Sequence, residues 1–380
     1  MASIQKRDNG VWRARYRDAA GKEHAQHFAR KIDAQRWLDE VTASVVTGQY
    51  VDPRSSRITF REYADDWLAS QVHRESTAAL YKRHLERHAY PTLGSRQLGS
   101  ILPTTIQAWV RGLGIEDLER KRVALAPSTV GVVYTVVASI FRAAVRDRKL
   151  ASSPCDGVTL PKVQRSRVEP LTTEQVELLR DNVPRELRAL VVLAAGTGMR
   201  QGELLGLTRD RLRLLGKNPA VTVDRQLVSG IGDEPRFGPP KTEASVRTIP
   251  LPRVVIVALN EHIAEYGVGE RELVFTFGGK PMTRQKFGHA WRPAARVAVL
   301  SEATGTGVHS LRHYYASLLI RFGESVRTVQ DRLGHASATE TLDTYSHLWP
   351  DSDDRTREAV DSVLGSSTAL APIAVGDQRS

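Results

Sequence analysis

Three short blocks carry side chains able to handle a phosphate. In Thr197-Gly198-Met199-Arg200-Gln201-Gly202-Glu203-Leu204, a glycine-containing turn precedes a helical run, which puts Arg200 near the helix start and Glu203 three residues on, on the same face. A guanidinium there can aim its planar fork at a phosphate, and the N–H groups of a helix start add positive potential. In His309-Ser310-Leu311-Arg312-His313, His309 and Arg312 stand three apart at the beginning of an apolar helix, so a second guanidinium lies beside an imidazole. The third block is Leu333-Gly334-His335, followed ten residues later by Tyr345 in Thr341-Leu342-Asp343-Thr344-Tyr345-Ser346-His347. Taken singly, each has an ordinary structural explanation. Arg200 and Glu203 can be a surface ion pair, His335 a turn cap and Tyr345 a core side chain.

The elements that must position these blocks are legible in the periodicity. From Gly10 to Arg17, Trp12, Ala14 and Tyr16 alternate with Arg13, Arg15 and Arg17, the pattern of a strand with one apolar and one basic face. Asp18-Ala19-Ala20-Gly21 reads as a turn into a second strand ending near Phe28, and Asp33 as the cap of a helix that sets Trp37, Leu38, Val41 and Val45 on one side. Residues 1–55 thus form a small sheet-plus-helix module. From Arg57 the period becomes helical. Thr59 with Glu62 and Thr104 with Gln107 have capping-box spacing, Ser76 and Ser128 are further caps, and Val130, Val133, Val137, Ile140, Phe141 and Ala144 mark one face of a long helix. Residues 56–152 therefore read as a four-helix unit. Pro154, Gly157, Pro161, Lys162, Arg165 and Arg167 punctuate an aperiodic basic linker over 153–168. Thr172 with Gln175 opens a mixed α+β domain over 169–365, in which 221–228 and 246–251 look like strands flanking a Gly/Pro-rich turn. Residues 366–380 read as a flexible tail.

The chain has 380 residues and a net charge of +11. The first 56 residues carry a basic surplus of three, residues 57–164 a surplus of six and the remainder a surplus of two, so the excess sits in the front of the molecule. Such an asymmetry suits a front half that grips a polyanion and a back half with another task. A single cysteine, Cys155, excludes an intramolecular disulfide framework and a thiolate metal cluster. No run approaches 18 consecutive apolar residues, and Met1 to Tyr16 lacks the apolar segment of a secretion signal, so a cytoplasmic protein is expected. No carboxylate and histidine cluster has convincing metal-ligand spacing, and no Gly-rich phosphate loop with its lysine is present, so neither a metal nor a nucleotide cofactor is expected.

Between residues 200 and 345 the order Arg, Glu, Lys, His-x-x-Arg, His, Tyr resembles the catalytic domain of the tyrosine recombinase, or phage integrase, family. The resemblance implies that Arg200 and Arg312 clamp the scissile phosphate of DNA, Lys241 and His309 handle protons, His335 hydrogen-bonds the phosphate and Tyr345 attacks, with Glu203 in support. Lys241 rests on Gly238-Pro239-Pro240-Lys241-Thr242 ahead of Ser245-Val246-Arg247-Thr248-Ile249. The interval from His335 to Tyr345 is one residue longer than in many members. Farther forward, the helical unit resembles the family's SAM-like core-binding domain and the first 55 residues its arm-binding domain, whose sheet would read the major groove with Arg13, Arg15 and Arg17. The fold implied is multidomain and mainly α with small β-sheets. The partners implied are double-stranded DNA attachment sites of core and arm type, a homotetramer on DNA, a DNA-bending host factor and an excision factor, in the cytoplasm of a bacterial host.

Such an enzyme cuts and rejoins DNA through a 3′-phosphotyrosine and integrates or excises a phage or mobile element. Ionising a tyrosine of pKa about 10 near neutral pH costs on the order of 4 kcal/mol, which the guanidinia and imidazoles must offset. Because the phosphotyrosine retains the bond energy, no ATP is needed. Two other readings stand beside this one: a resolvase-type tyrosine recombinase, and a DNA-binding regulator of the same fold with a retired active site.

Overall fold

The computed structural model describes residues 3–17, 21, 23–46, 55–117, 123–163, 167–228, 234–240, 242–300, 305, 307–349 and 353–364. Lys241 and the tail over 366–380 lie outside them. The chain divides into two units, Met1–Gln164 and Arg165–Ser380.

The first unit opens with an antiparallel sheet of β1 (Ser3–Lys6), β2 (Trp12–Arg17) and β3 (Glu23–Phe28), in that spatial order. Alternation in β2 buries Ala14 and Tyr16 against α1 (Lys31–Val46), where Ala34 and Leu38 are buried and the Trp37 ring meets Tyr16 edge-on at 5.5 Å. The helix starts two residues earlier than Asp33, which lies in its first turn and is bound to Arg30 at 2.8 Å instead of capping it. On the opposite, basic face, Glu23 draws in Arg13, Arg15 and Arg17 at 3.4, 3.9 and 4.0 Å.

The helical elements of this unit are α2 (Phe60–Ser70), α3 (Glu75–His84), α4 (Tyr90–Leu93), α5 (Pro103–Leu113) and α6 (Pro127–Arg146), with a π-helical turn joining α3 to α4. Thr59 and Glu62 form the expected reciprocal cap. Thr104, Ser76 and Ser128 instead fall inside first turns, because α5 and α6 begin on prolines, whose missing N–H suits the first helical position, and α3 begins at Glu75. Helix α6 is long and apolar enough by composition to cross a membrane, yet it serves as the core helix here, burying Val130, Val133, Val137, Ile140, Phe141 and Ala144. The stretch after it is fastened down: Cys155 joins the core, its carbonyl accepts from the Tyr134 hydroxyl at 2.7 Å, and Gln107 makes two hydrogen bonds to the Thr159 backbone. Polar side chains thus satisfy the backbone of an aperiodic segment, which sequence periodicity cannot foresee.

The second unit is built around α8 (Arg185–Thr197), which buries Leu187, Leu190, Val191, Leu193 and Ala194. Packed on it are α7 (Thr173–Asn182), capped reciprocally by Thr172 and Gln175, together with α10 (Arg253–Tyr266) and α12 (His309–Arg321). After α9 (Gln201–Leu205) come β4 (Leu212–Arg213), β5 (Ala220–Val223), β6 (Gln226–Val228), β7 (Arg236–Gly238) and β8 (Arg247–Pro250). The expected single strand over 221–228 is broken at Asp224, whose carboxylate binds Arg211 at 2.8 Å. One half pairs with β8, setting Val221 opposite Ile249, and the other pairs with β7, setting Leu227 opposite Phe237. A short ribbon of β9 (Thr276–Phe277) and β10 (Lys280–Pro281) leads to α11 (Arg284–Val297). Beyond α12 follow α13 (Val326–Leu333), α14 (Ala338–Tyr345) and α15 (Asp353–Leu364), on which Val360, Val363 and Leu364 are exposed.

Candidate active site

Helix α8 ends at Gly198, which adopts a left-handed φ of 63°. A Cβ there would lie 2.7 Å from the Tyr315 ring and 2.9 Å from Leu333, so glycine is required both by backbone conformation and by space. This turn delivers Arg200 to the N-terminal end of α9. The Glu203 carboxylate reaches back, accepting the Arg200 backbone N–H at 2.8 Å and its Nη1 at 3.1 Å. The Arg200 backbone N–H is therefore taken up by Glu203.

Glu203 serves a second cation. Arg247, the first residue of β8, donates Nη2 and Nη1 to the two carboxylate oxygens at 2.8 and 3.2 Å, with both side chains almost fully buried. Burial opposes ionisation of Glu203, but the hydrogen bonds and charge of Arg247, reinforced by Arg200, hold its carboxyl below the usual range. Arg247 also donates Nε to the Arg332 carbonyl at 2.8 Å, tying β8 to the end of α13. Arg200 completes the link, with Nη1 on the Ser245 hydroxyl at 3.3 Å and Nη2 on the Gly334 carbonyl at 3.0 Å. Gly334 is the left-handed cap of α13, with φ 65°.

His335 follows that cap. Its Nδ1 lies 2.8 Å from the Thr341 hydroxyl, and burial with the charges of Arg312 and Arg200 pushes its imidazole down to about 3. His309 opens α12, and burial, Arg312 and Arg200 lower its imidazole too. Arg312, 1% exposed, donates Nη1 to the Gly198 carbonyl at 2.9 Å. Burial, followed by Arg200 and Arg247, pushes its guanidinium down to about 9, so it is still charged at pH 7. Tyr345 ends α14 and is 1% exposed. Burial pushes its phenol up to about 12, Arg312 pulling the other way. The phenol hydroxyl lies 2.8 Å from Nδ1 of His313, and the Tyr345 ring runs nearly parallel to that of His335, 6.4 Å between centroids.

Arg200, Glu203, His309, Arg312, His335 and Tyr345 are thus brought together from four segments, whereas Lys241 lies outside the described residues. Sequence reasoning passed over His313, Arg247, Ser245 and Thr341. His313 follows Arg312 directly and stands four residues from His309, a helical spacing that could have drawn notice; Arg247 and Ser245 had no such signal, since only the turn of β8 against α13 brings them in.

Residues 169–351 match the family model described as the phage integrase family, and residues 59–114 match that of the phage integrase N-terminal SAM-like domain. The chain belongs to the phage integrase family. It is a tyrosine recombinase, an enzyme of site-specific DNA recombination. The regulator and resolvase readings are not favoured. Among its relatives, the prophage phiRv2 integrase of Mycobacterium tuberculosis is 27% identical over 355 residues, covering 90% of each chain. The integrase of Mycobacterium phage D29 is 25% identical over 324 residues, covering 82% of this chain and 83% of that protein. The fold is also that of the Tn1549 transposon integrase bound to circular intermediate DNA, with a TM-score of 0.65 at 22% identity over 80% of this chain and all of the other. A lambda integrase dimer bound to a core site matches with a TM-score of 0.57 at 18% identity over 92% of this chain and 95% of the other.

Burial of the histidines makes stability depend on pH. His313, held down to about 4 by burial, His309 and Arg312, and His335 at about 3 are both neutral in the folded state at pH 7. Unfolding returns each to a pKa near 6.5, so the unfolded chain binds more protons as the pH falls below that value. Stability is expected to drop from pH 6.5 toward pH 4, by up to about 1.4 kcal/mol per pH unit for each imidazole. Urea unfolding at pH 7, 6 and 5 checks this, and a midpoint that does not fall with pH would contradict it.

Proposed function

We propose that Arg200, Lys241, His309, Arg312, His335 and Tyr345, with Glu203 in support, cleave and rejoin DNA in a site-specific integrase. The observation that carries this reading is the hydrogen bond from Arg200 to the Gly334 carbonyl, because it sets the first guanidinium beside His335, whose ring lies against Tyr345. The Tyr345 oxygen attacks the scissile phosphorus, the 5′-oxygen leaves, and a 3′-phosphotyrosine holds the bond energy until a second 5′-hydroxyl reverses the step. Arg200 and Arg312 neutralise the non-bridging oxygens where negative charge grows. With Nδ1 of His335 accepting from the Thr341 hydroxyl, the ring hydrogen sits on Nε2, 3.7 Å from the Glu340 carboxylate, and donates from there to the phosphate when DNA is bound. A nicked suicide substrate, from which the short 5′-hydroxyl strand diffuses away, should trap the protein covalently on DNA; failure to trap it would contradict the reading.

Lys241 is proposed as the acid that protonates the leaving 5′-oxygen. A substrate with a 5′-bridging sulfur needs no such proton, so it should restore most of the cleavage that Lys241→Ala abolishes. No improvement over ordinary DNA would move that role elsewhere, with His309 the next candidate.

Residues 1–55 are proposed to bind arm-type sites through Arg13, Arg15 and Arg17. Supporting this, β2 sets the three arginines on the face of the sheet opposite the one that packs on α1. Glu23 competes with DNA for all three arginines. Glu23→Gln should therefore bind an arm duplex severalfold more tightly, while replacing the three arginines by alanine should flatten the salt dependence by about one unit of log–log slope for each phosphate no longer neutralised. Unchanged binding in both would remove the module's basic face from DNA recognition. The proposal also includes separate core-type sites, a homotetramer on DNA that exchanges two duplexes, a DNA-bending host factor, an excision factor, and action in the cytoplasm of a bacterial host on a phage or other mobile element.

A further inference from the structure

Attack by Tyr345 requires its phenol to lose a proton, and a group beside the phenol oxygen must receive it. The Tyr345 hydroxyl is hydrogen-bonded to Nδ1 of His313 at 2.8 Å, with the two rings inclined at 66° and 5.6 Å between centroids. His313 is held in place from its own helix, where the His309 ring meets it edge-on at 4.7 Å. We propose that His313 is the general base of the reaction, taking the phenol proton on Nδ1 as Tyr345 attacks. The inference rests on the reading of Tyr345 as the nucleophile.

Three observations support a base in place of a mere neighbour. The contact is at hydrogen-bond distance to the reacting oxygen itself, the geometry general-base catalysis requires. The imidazole is neutral at pH 7, because burial and the charges of His309 and Arg312 disfavour its protonated form, so Nδ1 has a free lone pair when Nε2 carries the hydrogen; the same causes make it a weak base in the free protein, and a DNA phosphate beside Arg312 must offset them for it to take the proton. The site also has a use for the resulting imidazolium: it forms only as the phosphoryl group gains negative charge beside Arg312, the residue preceding His313. The step balances. The bond from the Tyr345 oxygen to phosphorus forms, the bond from phosphorus to the 5′-oxygen breaks, the phenol proton goes to His313, and the leaving oxygen takes its proton from a separate acid. In rejoining, the incoming 5′-hydroxyl returns its proton to that separate acid as it displaces Tyr345, which recovers its own proton from His313.

The test is the single-turnover rate of covalent adduct formation on a nicked core-site substrate, measured for wild type, His313→Ala and His313→Asn. Asparagine places an oxygen acceptor near the former Nδ1 but cannot take up a proton. Both variants should bind the substrate as wild type does and form adduct more slowly by about 100-fold or more, the usual worth of a general base. A 5′-bridging sulfur should not relieve the defect, since it helps only the leaving group. A wild-type rate in His313→Asn would reduce the residue to a hydrogen-bonding prop and overturn the inference. Rescue by the sulfur substrate would assign it to the leaving group instead. Faster cleavage in either variant would make it a latch that restrains Tyr345, and loss of DNA binding in both would make it a structural support. Absence of any adduct with the wild-type protein would reject the nucleophile reading itself, and is told apart from all of these by the wild-type control.

Discussion

Tyr345→Phe is expected to bind core-site DNA as tightly as the parent and to form covalent adduct more slowly by at least about 1,000-fold, since on the proposed mechanism the attacking atom is gone. The structure explains why binding and folding should survive. Tyr345 closes a small apolar cluster of Tyr315, Ala316, Ile320, Val329 and Leu333, and phenylalanine keeps that packing. Only the hydrogen bond to His313 disappears, worth about 1 kcal/mol. The measurement pairs a suicide-substrate trapping assay with a mobility-shift titration. Adduct formed by Tyr345→Phe would mean that another side chain attacks, and the convergence of Arg200, Arg312 and His335 would then need a different nucleophile.

The second large effect is a change in opposite directions at Arg312. Arg312 is 1% exposed, donates to the Gly198 carbonyl, and sits close enough to Arg200 and Arg247 for their charges to oppose its own. Glu203 offsets some of that, yet its carboxylate is engaged by the other two arginines. The free protein thus holds a buried cation at a cost, and on the proposed mechanism a DNA phosphate offsets it. Arg312→Met, which keeps much of the side-chain length and removes the charge, is expected to raise Tm, because it ends the burial of one cation beside two others while Glu203 keeps both of its arginine partners. Cleavage should fall by at least about 100-fold, since the missing charge acts on the transition state. Calorimetry and single-turnover cleavage on one preparation decide the matter; a lower Tm would show that Arg312 is a structural residue, and normal cleavage would remove it from the clamp.

Both predictions concern residues that the resemblance of the motifs singled out, and what local geometry alone supplied is narrower. Arg200 and Glu203, at one helix start, and His309 and Arg312, on one helix, are three residues apart, so each pair is placed together locally. The reciprocal caps at Thr59 and Thr172 are equally local, and the alternation in β2 and the apolar face of α6 follow from fixed periods of two and about 3.6 residues. Where two local signals competed, sequence reading chose the wrong one. Thr104 and Ser128 have the chemistry of caps, but the prolines beside them start the helices.

Only the tertiary structure decided how the blocks meet. Arg247 reaches Glu203 because β8 pairs with β5 and lies against the end of α13, a contact set by sheet register and helix packing across 44 residues. The bond from Arg200 to the Gly334 carbonyl spans 134 residues. The partnership of His313 with Tyr345, across 32 residues, depends on the angle between α12 and α14. Burial, too, is a property of the assembled unit: in the sequence Arg312, His313, His335 and Tyr345 are ordinary titratable groups. Removing water from around them is the first cause that lowers the imidazoles of His313 and His335 and the guanidinium of Arg312 and that raises the phenol of Tyr345.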